Sequence, residues 1–266
     1  GANYTVPKMI KDTVDKYPEV YAQYKRLPNN EFEPITYRDM FQYGMDFGAA
    51  LISIGVKKED KIGLISDNRA EWQQADIGIM AIGAIDVPRG CDATIIDLEK
   101  ILSITEAQIV IAENNSQVQK ILSLKDKLPA LKTFICFEND VKPETADLAK
   151  EKNVEIIYFS EMLKIGQKWR IENKGKVEEL MEEGKADDVA TIIFTSGTTG
   201  DPKGVVLTHN NFLAQLDELP ERIFVNPGDK ALSVLPIWHV FEREVEYVIM
   251  IQAGTICYSK PVGSIL

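Results

Sequence analysis

The sequence is short of positive charge and of long apolar runs. Its 30 Lys and Arg residues against 41 Asp and Glu residues give a net charge of −11, which argues against nucleic-acid binding because a polyanion needs gathered positive charge. No segment approaches the roughly 18 uncharged apolar residues that a helix needs to span a bilayer, and the start has no apolar stretch typical of a secretion signal. We therefore expect a cytoplasmic protein.

Cysteine and histidine are also scarce. The three cysteines, Cys91, Cys136 and Cys257, are far apart, and each lies in or beside an apolar stretch. This spacing indicates buried free thiols rather than a disulfide framework or a zinc site. We predict no metal ligand among these residues. The only two histidines are His209 and His239.

The apolar pattern predicts an α/β fold with a doubly wound sheet. Short apolar strands at 61–66, 108–113 and 132–137 alternate with segments of helical periodicity. Strands that are linked through helices pair in parallel by right-handed crossovers. Thr36, followed three residues later by Asp39, is typical of a helix start.

A second β-α-β series is expected after residue 186. We divide the chain into a first α/β subdomain, residues 1–185, and the beginning of a second, residues 186–266. The pattern breaks off without a closing helix, so we expect a longer parent protein. Within this series Glu242, Glu244 and Glu246 are interpreted as solvated acids at a helix start.

The segment 195–204 has the composition of an anion-binding loop and follows the apolar strand ATIIF. Gly197 and Gly200 permit backbone angles that let main-chain N–H groups converge. Thr and Ser hydroxyls add donors, Lys203 adds a cation, and Pro202 fixes the chain beside it. A flexible surface linker is the alternative interpretation of such a composition. The spacing is not that of a Walker A loop, and the G-x-S-x-G and G-x-G-x-x-G motifs are absent.

The order of these residues, TSGTTGDPKGV, resembles the phosphate-binding signature of the adenylate-forming superfamily. That superfamily includes acyl-CoA synthetases, luciferases and peptide-synthetase adenylation domains. Its loop holds the β- and γ-phosphates of ATP while a carboxylate attacks the α-phosphate, which gives acyl-AMP and pyrophosphate. The resemblance implies that the nucleotide contacts are Thr195, Ser196, Gly197, Thr198, Thr199, Gly200 and Lys203.

A second segment, 236–243, has the form P-x-x-H-x-F-E-R and is similar to long-chain fatty acyl-CoA synthetases. Taken alone, a histidine beside aromatic residues is more often structural. The resemblance implies a catalytic His239 near the acyl carboxylate and the α-phosphate, with Trp238 and Phe241 lining or gating the acyl path. The segments TYRDM and SDNRAEW also resemble this subgroup, so the implied fold is its large domain, incomplete at the carboxyl end. His209 is expected to cap or orient the helix that follows it.

The resemblance implies ATP and Mg²⁺ as cofactors and coenzyme A as co-substrate. The family's adenine, ribose and magnesium motifs and its catalytic lysine do not occur in these 266 residues, so the Mg²⁺ ligands are expected elsewhere and these residues alone are expected to be inactive.

Three hypotheses stay open: part of a fatty acid–CoA ligase, a non-catalytic nucleotide- or acyl-binding module, and an adenylating enzyme that loads a carrier-protein thiol. The sequence leaves open the chain length of the acid, the oligomeric state and a peripheral membrane contact to obtain fatty acid.

Overall fold

The computed structural model describes residues 2–195 and 201–259. The α-helices in these ranges are α1 (Val6–Lys16), α2 (Tyr37–Ser53), α3 (Ala70–Ala81), α4 (Ile95–Thr105), α5 (Asn115–Leu122), α6 (Pro143–Glu151), α7 (Phe159–Glu172), α8 (Lys176–Glu183), α9 (His209–Glu218) and α10 (Val240–Ile251). The strands are β1 (Tyr21–Arg26), β2 (Phe32–Thr36), β3 (Lys61–Ile65), β4 (Ile85–Arg89), β5 (Ile109–Ala112), β6 (Thr133–Cys136), β7 (Glu155–Tyr158), β8 (Val189–Thr195), β9 (Lys203–Thr208), β10 (Lys230–Ser233) and β11 (Thr255–Tyr258).

Seven strands form a large sheet in the order β7-β6-β5-β3-β4-β8-β9. Its neighbours from β7 to β8 pair in parallel. All four residues of β5 are buried, as expected for a central strand that helices cover on both faces. Because β4 and β5 flank β3 on opposite sides, the chain winds outward from β3 in both directions. The predicted doubly wound α/β fold is confirmed.

A second sheet joins the two ends of the described chain in the order β10-β11-β1-β2. The strand β11 pairs in parallel with both β1 and β10, and the β10-α10-β11 unit is the predicted β-α-β arrangement. The antiparallel hairpin of β1 and β2 was not predicted. Asn30, in the turn between them, has a φ of 66°, a left-handed conformation that Asn tolerates better than most residues.

The expected β-α-β series after residue 186 is wrong at its first step. The strand β9 turns back and pairs with β8 antiparallel, because the intervening loop is too short to hold a crossover helix. Each sheet also takes strands from both sides of the predicted boundary at 185/186. The division into residues 1–185 and 186–266 therefore does not coincide with the sheets, and the boundary itself stays a prediction.

Helix α2 begins as predicted and packs closely on α3. The N–H of Asp39 donates to Oγ1 of Thr36 at 3.1 Å, which caps the helix. A side chain at Gly78 of α3 would place its Cβ 2.5 Å from the carbonyl oxygen of Gly44 in α2. Glycine at both positions therefore lets the two backbones touch. Among the described residues, no helix is long and apolar enough to cross a membrane.

Candidate functional site

The predicted phosphate loop connects two paired strands. Thr195 ends β8 and lies opposite Lys203, the first residue of β9, in the antiparallel register. Both residues are exposed, so Oγ1 of Thr195 and Nζ of Lys203 can each reach a ligand that is bound at the loop. Lys100 of α4 pairs with Asp201 at 3.2 Å, but surface pairs of this kind contribute little. The remaining predicted contacts lie outside the described residues: Ser196, Gly197, Thr198, Thr199 and Gly200.

The second predicted segment connects β10 to α10. Trp238 is half-buried and His239 is exposed, with ring centroids 6.2 Å apart. His239 is the N-cap of α10, and its carbonyl oxygen accepts a hydrogen bond from the N–H of Arg243 at 3.2 Å. Phe241 is 60% exposed. These three rings are therefore presented at the start of a helix, where a ligand can contact them.

A close contact brings this segment to the edge of the large sheet that carries the loop. The indole of Trp238 lies on Gly90, directly after β4, and a Cβ at residue 90 would lie 2.4 Å from the ring. The strand β4 pairs with β8, whose end at Thr195 opens the loop. The carboxyl ends of neighbouring parallel strands thus present both predicted motifs at one edge, where ligands of such sheets usually bind.

A buried network that the sequence interpretation missed holds α10 against the large sheet. Arg243, fully buried, donates to Asp76 of α3 at 2.6 Å and to Asp86 of β4 at 3.1 Å. It also donates to the hydroxyls of Thr191 in β8 and Tyr247, each at 2.9 Å. Burial raises the pKa of Asp76, an effect that the Arg243 charge opposes.

The guanidinium has several N–H donors, and the two carboxylates and two hydroxyls around it can accept. Every member of the network therefore has a hydrogen-bond partner. The sequence does contain a signal for this network. Arg243 interrupts an otherwise apolar helix face, and Asp76 and Asp86 interrupt two apolar elements that could supply its partners.

The interpretation of the glutamates in α10 as solvated acids was wrong for two of the three. Glu242 and Glu246 are buried, 5% and 1% exposed, because α10 lies in the interior, where Arg243 bonds to β4 and β8 of the large sheet and Glu246 bonds to β10 of the second sheet. Burial raises the pKa of both carboxyls, and for Glu246 the neighbouring Glu242 raises it further. Glu246 accepts a hydrogen bond from Ser233 at 3.2 Å.

His209 is structural, as expected, but it serves a different helix. Its Nδ1 accepts the N–H of Val6, the first residue of α1, at 3.2 Å. The cap of α9 is Thr208, which accepts from the N–H of Asn211 at 3.2 Å. Burial lowers the pKa of His209 to about 4, so the imidazole is neutral and can accept this bond.

The three cysteines are free, and one belongs to a cluster of potential ligands. Cys136 is buried as predicted, whereas Cys91 and Cys257 are half-buried. Cys91, Asp67 and Glu113 offer ligand atoms within 4.8 Å of one another. The Cys91 thiol donates to Glu113 at 3.2 Å, and burial raises the pKa of that thiol. Mg²⁺ prefers oxygen ligands and a thiol is a soft one, so this cluster does not fit Mg²⁺.

Comparison with known proteins defines the class. Residues 10–264 match the family described as AMP-binding enzyme. The chain belongs to this family, as the TSGTTGDPKGV segment predicted.

Some relatives of the chain are named as acyl-activating enzymes or fatty-acid ligases. An Arabidopsis thaliana protein named "Probable acyl-activating enzyme 16, chloroplastic" is 34% identical over 92% of this chain and 34% of its own length. A chloroplastic long-chain-fatty-acid–acyl-carrier-protein ligase of the same plant is 31% identical, over 92% of this chain and 33% of its own. The chain thus spans about a third of the length of these curated relatives.

A solved structure supports the fold assignment. The fatty acyl CoA synthetase of Mycobacterium tuberculosis matches with a TM-score of 0.73 at 21% identity, covering 97% of this chain and 45% of that one. At this identity the match shows the fold alone, and it agrees with the predicted large-domain architecture.

Proposed function

We propose that this chain is the phosphate- and acyl-binding part of an ATP-dependent fatty-acid ligase. The observation that carries the proposal is the meeting of the two motifs at one sheet edge, through the contact of Trp238 with Gly90 and the pairing of β4 with β8. Relatives that are named as fatty-acid ligases support the substrate class. Because the chain spans a third of those relatives, the complete reaction is proposed for a longer protein that contains it.

The proposed chemistry proceeds in two steps. A carboxylate oxygen of the fatty acid attacks the α-phosphorus of ATP, the bond to the β-phosphate breaks, and pyrophosphate leaves. A thiol sulfur then attacks the acyl carbon, AMP leaves, and the thiol proton passes to solvent. In the first step Thr195, Lys203 and the loop between them hold the departing phosphates, since fixed donors stabilise developing charge.

The acid side of the site is assigned to the segment before α10. His239 orients the carboxylate and stabilises charge near the α-phosphate, because an imidazole can do so in either protonation state. Trp238 and Phe241 line the acyl path. We assign the ligands of Mg²⁺ to residues outside the described ones, as the family resemblance implies.

The fatty-acid ligase hypothesis has two forms, which differ in the thiol that accepts the acyl group. That thiol belongs either to coenzyme A or to a carrier protein. The relatives include ligases named for each. Offering both acceptors to the acyl-AMP formed by the full-length protein, and measuring release of AMP, distinguishes them. The cytoplasmic location also remains a proposal, which cell fractionation tests.

Two substitutions in the full-length protein test the assignment. Lys203→Ala is expected to weaken use of ATP by about 1.5–3 kcal/mol, the range for hydrogen bonds to charged groups, with the KM for fatty acid nearly unchanged. His239→Ala is expected to lower the rate of adenylation with the KM for ATP nearly unchanged. Fatty-acid-dependent exchange of pyrophosphate into ATP measures both.

The outcome also decides between a ligase and a non-catalytic binding module. If the unsubstituted full-length protein binds ATP but shows no exchange with any carboxylic acid, the module hypothesis replaces the ligase hypothesis. If His239→Ala lowers only the melting temperature and retains the full rate, the acyl site lies elsewhere.

A further inference from the structure

Asn68 connects the end of β3 to the segment that precedes Trp238. Its Nδ2 donates to Oγ of Ser233 at 2.8 Å and to the carbonyl oxygen of Leu235 at 2.6 Å. Its Oδ1 accepts the N–H of Ile237 at 2.8 Å. Since a backbone N–H can only donate and a carbonyl can only accept, these partners fix the orientation of the amide. One side chain thus holds three positions within five residues.

The segment 234–239 depends on such outside support because it is not part of a helix or strand. Val234 and Leu235 are exposed, at 42% and 50%, so packing does not fix the backbone there. Ile237 is buried at 1% exposure, and Asn68 binds the N–H of that same residue. The amide and the Ile237 side chain together anchor the chain directly before Trp238 and His239.

The chain on the carboxyl-terminal side of Trp238 and His239 is also fixed. The N-terminus of α10 holds His239, and Arg243 ties that helix to β4, β8 and α3. Gly90 leaves the space in which the indole of Trp238 lies. Of these supports, Asn68 is the one on the amino-terminal side of the motif, and it comes from SDNRAEW, about 170 residues away in sequence.

We propose that Asn68 is a positioning residue for the acid side of the site. By holding residues 233–237 it sets where Trp238 and His239 stand, without itself contacting the reacting atoms. The inference deepens the proposed function and rests on it for the roles of Trp238 and His239. The holding of the segment by Asn68 is independent of that function.

Amide hydrogen exchange on the 266-residue chain tests the structural half. Asn68→Ala removes all three hydrogen bonds, so the Ile237 amide is expected to exchange about fivefold faster or more. Asn115→Ala is the matched control, because Oδ1 of Asn115 likewise accepts a backbone N–H from another loop, that of Lys142 at 2.9 Å. The control is expected to speed exchange at Lys142 and leave Ile237 unchanged.

Kinetics of the full-length protein test the functional half. Asn68→Ala is expected to raise the KM for fatty acid or lower the adenylation rate about tenfold, with the KM for ATP within about twofold of its original value. A global loss of stability would affect both substrates alike. If Asn68→Ala does not fold, Asn68→Asp keeps an acceptor for Ile237 but loses both donors, and it is then measured in the same two assays.

The two halves fail differently. Unchanged exchange at Ile237 in a folded variant overturns the inference and leaves the proposed function intact. Faster exchange with unchanged fatty-acid kinetics overturns the functional role given to Asn68, whereas the assignment of the acid side to Trp238 and His239 is decided separately by His239→Ala. Faster exchange together with a loss confined to the fatty-acid parameters supports the inference.

Discussion

At the scale of single residues, the candidate site depends on a position with no side chain. Gly90 supports the indole of Trp238, and an added Cβ would lie 2.4 Å from the ring. Gly90→Ala is therefore expected to displace the indole and to alter the rates for long acyl chains more than those for short ones, with ATP kinetics unchanged. Adenylation rates across a series of saturated acids measure this.

A double-mutant cycle is the control for this prediction. In a Trp238→Ala background the added methyl has no ring to displace, so Gly90→Ala should then have little effect. Equal effects in both backgrounds would show that residue 90 acts through something other than Trp238.

His209 gives a pH-dependent prediction. Its pKa is about 4 in the folded chain against 6.5 for an ordinary histidine, so between these values the unfolded chain binds more protons. Stability is therefore lost as pH falls through this window. From pH 7 to pH 5 this residue should account for a loss of about 2 kcal/mol. His209→Gln should lose less stability over that interval, as measured by urea unfolding.

The control compares the free energies of unfolding at pH 7 and pH 8. At both pH values the imidazole is mostly neutral in the folded and in the unfolded chain, so residue 209 should not change the stability of either protein over this interval. An identical pH dependence of the two proteins from 7 to 5 would contradict the assignment of a buried neutral His209.

Individual roles were predictable from the sequence only where a residue type is nearly specific. The Thr36 cap falls in that group, whereas the roles of Gly and Thr in the loop stay a prediction. Glu242 and Glu246 do not fall in it, because their burial depends on the packing of α10 against elements that are far away in sequence, such as α3, β4 and β8. Asn68 likewise has partners about 170 residues away, and no local pattern indicates them.

At the scale of elements, α10 is held by charge as well as by apolar packing. Arg243→Met would leave Asp76 and Asp86 buried without their cation, which is expected to cost about 3–5 kcal/mol of unfolding free energy near neutral pH. This loss of unfolding free energy should become smaller at lower pH. Burial raises the pKa of Asp76, and the protonated acid needs no cation. Denaturant unfolding at two pH values measures both effects.

Arg222→Met, at an exposed position, is the matched control, with an expected change within about 0.5 kcal/mol. A small effect of Arg243→Met at neutral pH, or a deficit that grows as pH falls, would contradict the role given to the network.

Among the elements, the parallel pairing of strands with strong apolar patterns was predicted, whereas the antiparallel pairings and the pairing of β1 with β11 were not. The central strands β3, β5 and β6 are short buried runs between helices, so their parallel pairing follows from the sequence. The strands β1 and β9 consist mostly of exposed or half-buried residues. Their places depend on partners, β11 for one and β8 in antiparallel register for the other.

At the scale of the whole molecule, both sheets unite early and late parts of the chain. The strand β4 needs β8, the strand β1 needs β11, and Asp76 and Asp86 need Arg243. Residues 1–185 expressed alone would lack all three partners, so we expect them to unfold or aggregate instead of forming an independent unit. The 266-residue chain should unfold in one transition that circular dichroism and tryptophan fluorescence report alike.

A variant of residues 1–185 separates the causes of this expected failure. Asp76→Asn together with Asp86→Asn removes the unpaired buried charge but restores neither missing strand. If charge alone prevents folding, this variant should fold. We expect it to remain unfolded, because the edge of β4 and the face covered by α10 stay exposed to water. A dispersed amide spectrum and a cooperative melt from the unsubstituted 1–185 chain would instead establish the boundary at 185/186 as a true division between folding units.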